Sequence, residues 1–160
     1  MMTTPITLSQ FLSGAGGKSH ETTTTGPVLG AIPVPDGDFS GVRFRAPGGY
    51  LVRELRGAKM RTTEGVFDEF AAAFQFPYYF GENKDAFDEC LRDLADFVGS
   101  APGYAVLIRD SDQLLAEEPG QRDWFAEAMR DAAAHRASHG GVFRVVLQGS
   151  PTLEAAPLTM

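Results

Sequence analysis

Between Tyr78 and Phe97 the chain reads YYFGENKDAFDECLRDLADF, and in it Asp85, Glu89, Asp93 and Asp96 recur at i, i+4, i+8 and i+11. At ~3.6 residues per turn a helix brings those positions within about 80° of arc, so four carboxylates share one face. Ionised carboxylates only accept hydrogen bonds, and their strongest partners are guanidinium and ammonium groups. Capture of a cationic partner is the chemistry this face suits. Glycoside cleavage by paired carboxylates suits it less: those acids flank a pocket from separate elements, and one is buried so that its pKa rises.

The same residues show what must position the face. Asn83 is a good N-cap, and Phe87, Cys90, Leu91, Leu94 and Val98 form the apolar side of the helix that follows. Asp85 falls in the first turn, where the helix dipole favours a carboxylate by ~0.3–1 kcal/mol. Asp93 and Asp96 lie beyond that help, and each like-charged i, i+4 pair costs roughly 0.2–0.5 kcal/mol. Glu82 and Asp88 bring the segment to six carboxylates against only Lys84 and Arg92. A solvated helix face does not need that imbalance; a docking face for a basic partner does. The loop before it gathers Phe76, Tyr78, Tyr79 and Phe80 around Pro77 and Gly81, and aromatic anchors beside carboxylates are the composition of an interface hot spot.

Residues 50–149 alternate strand and helix. YLVREL at Tyr50 reads as a strand. The stretch TEGVFDEFAAAF puts Val66, Phe67, Phe70 and Phe74 on one helical face behind Thr63 as N-cap. YAVLI at Tyr104 is a continuous apolar run, as in a strand buried on both faces, and a short helix is expected over Asp112 to Glu117. A long helix carrying Trp124, Phe125, Ala128, Met129 and Ala132 toward the core runs to Gly140 and Gly141, and VFRVVL is the last strand. Strands separated by helices imply parallel pairing through right-handed crossovers, so the expected core is an α/β fold with a three-stranded parallel sheet. Residues 1–49, rich in Gly, Thr and Pro, read as an irregular extension with short strands around Val28 to Val34 and Val42 to Ala46. Residues 150–160 read as a loose tail.

Bulk properties narrow the function. The net charge of −7 disfavours nucleic acid and anionic lipid as partners. The single cysteine, Cys90, excludes a disulfide-stapled scaffold. The N-terminus lacks the pattern of a signal peptide, and no apolar run reaches the ~20 residues of a membrane span, so the expectation is a cytoplasmic protein, monomeric when free. Three motifs are decoys. GAGGKS at Gly14 to Ser19 lacks the first glycine of a phosphate loop, Leu12 standing in its place, and no helical pattern follows. His135 and His139 are spaced for one metal but lack a third ligand, and they suit a helix C-terminus. Cys90 sits on the apolar side as a space filler, and no nucleophile elbow occurs. No cofactor and no metal is called for.

FPYYFGENKDAFDECLRDL resembles the signature of the barstar family, intracellular inhibitors of barnase-type ribonucleases: Pro, Tyr, an aromatic, Gly, an acid, Asn, any residue, Asp-Ala, then Asp-Cys-Leu after two more. The likeness is dense over about twenty residues and extends in element order from Tyr50 to Gln148. It implies a three-stranded parallel sheet with helices, and an acidic helix whose carboxylates stand in for RNA phosphates in the nuclease active site. The partner-binding residues it implies are Tyr79, Gly81, Asn83 and Asp85, with Glu89 at the place of the family's principal aspartate. Asp88 stands where barstar has a tryptophan, and Asp131 where the family has a glutamate on the last long helix. Glu89 is one methylene longer than aspartate, and Asp88 changes packing, which points to a cognate nuclease other than barnase. The implied partner is a basic extracellular ribonuclease or a related toxin. A barstar-like immunity module for a toxin of another chemistry would need the same face.

Overall fold

The computed structural model describes residues 5–14, 26–77 and 80–160. Among these residues six strands form one sheet in the order β1-β6-β2-β5-β4-β3, every pair parallel. They are β1 (Ile6–Thr7), β2 (Leu29–Ile32), β3 (Leu51–Arg56), β4 (Gly103–Arg109), β5 (Val142–Gln148) and β6 (Ala156–Thr159). The helices are α1 (Leu8–Ser13), α2 (Asp36–Phe39), α3 (Thr63–Phe74), α4 (Lys84–Arg92), α5 (Leu94–Val98) and α6 (Arg122–Ser138). The expected three-stranded sheet is therefore half of the observed one. The strands read from periodicity, β3, β4 and β5, lie side by side as foreseen; β2, β6 and β1 extend the sheet from β5.

Alternation along β4 shows how the two layers are built. Tyr104, Val106 and Ile108 enter the core made by α3, α4, α5 and α6, which includes Phe70, Phe74, Phe87 and Phe125. Ala105 and Leu107 point the other way, into a second core made with Leu8, Phe11, Leu12, Ile32, Phe39, Val42 and Leu158. Residues of the strand are thus buried on both faces, which is why its sequence is a continuous apolar run. Far from decorating a finished domain, the described part of residues 1–49 supplies the second layer. Gly30 makes this approach close, because a Cβ there would stand 2.6 Å from Leu158 Cδ1 and 3.0 Å from Phe11 Cζ. Arg144, almost fully buried on β5, donates from Nε to the Phe11 carbonyl at 3.2 Å and from Nη1 to its neighbour's carbonyl, Phe143 O, at 2.9 Å.

Several local readings change. The 150–160 segment is not loose: Ala156–Thr159 lies between β1 and β2, Leu158 opposite Ile6 and Ala156 opposite Gly30. Val42 to Ala46 is not a strand but a 3-10 turn, Val42–Arg45, with Val42 as its buried foot. Ser111–Gln113 is likewise a single 3-10 turn, not a helix to Glu117. The α3 cap is Thr62, whose hydroxyl accepts from Gly65 N at 3.1 Å; Thr63 is already inside the helix. Among the described residues no helix is long and apolar enough to cross a membrane. The phosphate-loop decoy beyond Gly14 lies outside the described residues.

Candidate functional site: an acidic face on two helices

The loop leading into α4 is fixed by its aromatic residues. Phe80 N donates to Pro77 O at 2.9 Å, and the Phe80 ring stands edge-on to Phe67 and Phe76, with centroids 5.8 and 5.2 Å away. These phenylalanines serve the core, so the hot-spot reading rests on the tyrosines, and Tyr78 and Tyr79 lie outside the described residues. Gly81 is exposed, and a Cβ on it would meet Asn83 Nδ2 at 3.0 Å. Glu82 takes a left-handed φ of 50°, a conformation that costs a non-glycine residue roughly 1–2 kcal/mol and turns the chain abruptly into the helix.

Asn83 caps α4 as its type foretells: Oδ1 accepts from Ala86 N at 2.8 Å while its carbonyl accepts from Phe87 N at 2.9 Å. Asn83→Ala is expected to lower stability by about 1 kcal/mol, read as a reduced urea midpoint with unchanged m-value. Phe87, Cys90 and Leu91 are buried, Asp85 and Glu89 are exposed, and Asp88 sits half-buried between the two sides. Burial pushes the Cys90 thiol up, with Asp93 and Glu89 adding to it, so this cysteine packs instead of reacting.

The four-carboxylate stripe does not survive intact. The helix breaks at Asp93, whose N–H is shared between Glu89 O at 3.0 Å and Cys90 O at 3.2 Å, and α5 sets off separately. Asp93 is the junction itself, closing α4 and opening α5, Asp96 belongs to α5, and Asp85, Asp88 and Glu89 are the acids within α4. Replacements arrive from α6, which packs against α4. The Asp88 carboxyl is raised first by burial; Arg92 opposes this, and Asp131, Asp85 and Glu127 reinforce it. Asp131 is thus near enough to Asp88 for its charge to act there. Glu127, one turn before Asp131 on the exposed side of α6, belongs there too and was missed; the i, i+4 pair of acids opposite the Phe125, Ala128 and Met129 face is the signal that reveals it.

None of Asp85, Asp88, Glu89, Glu127 and Asp131 enters an ion pair among the described residues, although Arg56, Arg61 and Arg109 pair with Glu69, Glu117 and Glu54 elsewhere. Lys84 is turned away, its Nζ 5.1 Å from the centroid of Trp124 and bonded to Gln121 Oε1. At the far end of α6, His139 Nδ1 lies 2.9 Å from the His135 carbonyl, so that ring nitrogen is taken up in closing the helix.

Helices packed on a parallel sheet thus present carboxylates that enter no ion pair among the described residues. The model of the barstar family, the barnase inhibitors, matches residues 50–148, and the chain belongs to that family. The matched span holds β3 to β5 and α3 to α6, so β1, β2, β6, α1 and α2 are additions outside it. No curated protein matches the chain.

Proposed function

We propose that the protein is an intracellular inhibitor of a secreted barnase-type ribonuclease, and that it blocks the enzyme's basic active site with the face formed by α4 and α6. The observation that carries this reading is the set of five carboxylates without ion-pair partners among the described residues, beside a capped helix start. Uncompensated charge on that face steers a cationic cleft toward it from a distance. At contact, Asp85 and Glu89 occupy positions that RNA phosphates otherwise take, and the loop through Tyr79 and Gly81 covers the cleft mouth. Asn83 holds the helix start in place. Nothing in this mechanism calls for a cofactor.

Titrating a barnase-type ribonuclease with the protein is expected to remove its RNA-cleaving activity at one equivalent. The association rate should fall by about tenfold or more as salt rises from low to physiological strength and beyond, because the steering charges are exposed. A ribonuclease left fully active by molar excess would contradict the proposal. Tight binding instead to a basic toxin of another chemistry would transfer the same surface to an immunity role.

A further inference from the structure

The two edges of the sheet are guarded differently. β1 has two residues, too short to template a partner, whereas β3 offers six and, among the described residues, pairs with β4 alone. Peptide groups along a strand alternate in direction. Val52 O and Arg56 N both meet side chains instead of β4, which puts the groups of Val52, Glu54 and Arg56 on the open side. Both ends of this row are closed. Arg53 Nη1 donates to Val52 O at 3.2 Å, while its Nε holds Ala73 O, one of the last carbonyls of α3, at 2.9 Å. At the other end Glu69 of α3 accepts from Arg56 N at 3.0 Å on Oε1, and its Oε2 pairs with Arg56 Nη2 at 2.8 Å. The Glu69 side chain is only 13% exposed, so its carboxylate lies against the strand and not out in solvent. Glu54, in the middle, gives no such cover, because Arg109 Nε draws its carboxylate toward β4 at 2.6 Å.

An unsealed β3 would be a hazard of a definite kind. Main-chain groups left without partners on a long edge accept an extended strand, and the strand always at hand is the same edge of a second copy. Two such edges can meet about a two-fold axis, each satisfying the other. We propose that Arg53 and Glu69 seal β3 against this pairing, and that with both removed the edge joins two copies into one continuous sheet. With the seal in place an incoming strand reaches only the groups about Glu54, too few for a ladder. Neither residue belongs to the acidic face, so nuclease capture does not enter into it.

The test uses the full chain carrying Arg53→Ala and Glu69→Ala together, which removes the two seals without adding exposed apolar bulk. Sedimentation from about 10 to about 500 μM should show the parent at monomer mass throughout and the variant moving reversibly toward dimer. Over the same range amide exchange at Val52 and Glu54 should slow at least about tenfold in the variant and stay within about twofold in the parent. Simple loss of stability would raise exchange at every concentration, so slowing at these two amides marks pairing through the edge. Glu69→Gln, which keeps a carbonyl oxygen for the Arg56 N–H, should stay monomeric.

If the double variant does not fold, Arg53→Ala alone, which gives up bonds to two backbone carbonyls, carries the same readout at the Val52 end. A folded variant that stays monomeric at the highest concentration would overturn the proposal. So would association that leaves Val52 and Glu54 exchanging as before, a glutamine variant that pairs as the alanine one does, or a parent that already pairs through β3.

Discussion

Asp85→Ala is expected to weaken capture of the target ribonuclease at least about thirtyfold, and Glu89→Ala to do the same, because truncating one partner of a desolvated charge pair costs ~2–5 kcal/mol. The asymmetry between complex and free protein makes this a sharp experiment. Both side chains are exposed in the free protein, so neither replacement leaves a cavity or a buried unpaired group. Asp85 forgoes at most ~1 kcal/mol of dipole stabilisation in the first turn of α4, and removing either acid relieves an i, i+4 repulsion of ~0.2–0.5 kcal/mol. Thermal melting should therefore change little while inhibition collapses. The dissociation rate should carry most of the loss, since desolvated contacts resist separation, whereas replacing Asp96 on α5 should mainly slow association. Inhibition curves and stopped-flow binding with both variants decide the matter. Unchanged inhibition by both would remove α4 from the interface.

How the acidic face was read from sequence, and where that reading stopped, follows from the range of each signal. Caps and apolar periodicity are local, so the Asn83 start, the buried side of α4 and the doubly buried run of β4 were all legible. The break at Asp93 was not, because Leu91, Leu94 and Val98 continue the apolar spacing in phase across it and no glycine or proline marks the place. Asp131 came from family likeness alone. Its nearness to Asp88 depends on how α6 packs against α4, a contact between segments far apart in the chain. The burial of Asp88 Oδ1 is a tertiary fact for the same reason. Charge type is written in the residue; solvent access is decided by its neighbours.

The C-terminal segment supplies the second large effect. Its sequence, EAAPLTM, hides a strand: Pro157 cannot donate to a ladder, and the run is too short for alternation to stand out. Proline is tolerated because β6 is held by few residues on each side, Ala156 and Pro157 opposite β2, and Leu158 and Thr159 opposite β1. Among the described strands, β1 pairs with β6 alone. Deleting residues 156–160 thus removes the whole partner of β1 and takes Leu158 out of the second core, where it packs with Phe11 against Gly30. Losing a buried leucine side chain costs ~2–5 kcal/mol before the strand pairing is counted. In a chain of this size each kcal/mol lowers the melting temperature by roughly 2–4 °C, so the truncated protein should melt about 10 °C or more below the parent. Amide protection should be lost first in β1, α1 and β2, and last in β4 and β5, whose other face is held by the larger core. Leu158→Ala is the milder companion, expected to lower stability by several kcal/mol without shortening the chain. A truncated protein that melts with the parent and keeps α1 protected would mean that the added layer stands without its last strand. Because α4 and α6 lie on the opposite side of the sheet, a partly folded truncation should still inhibit the target ribonuclease, which separates the role of the additional strands from that of the acidic face.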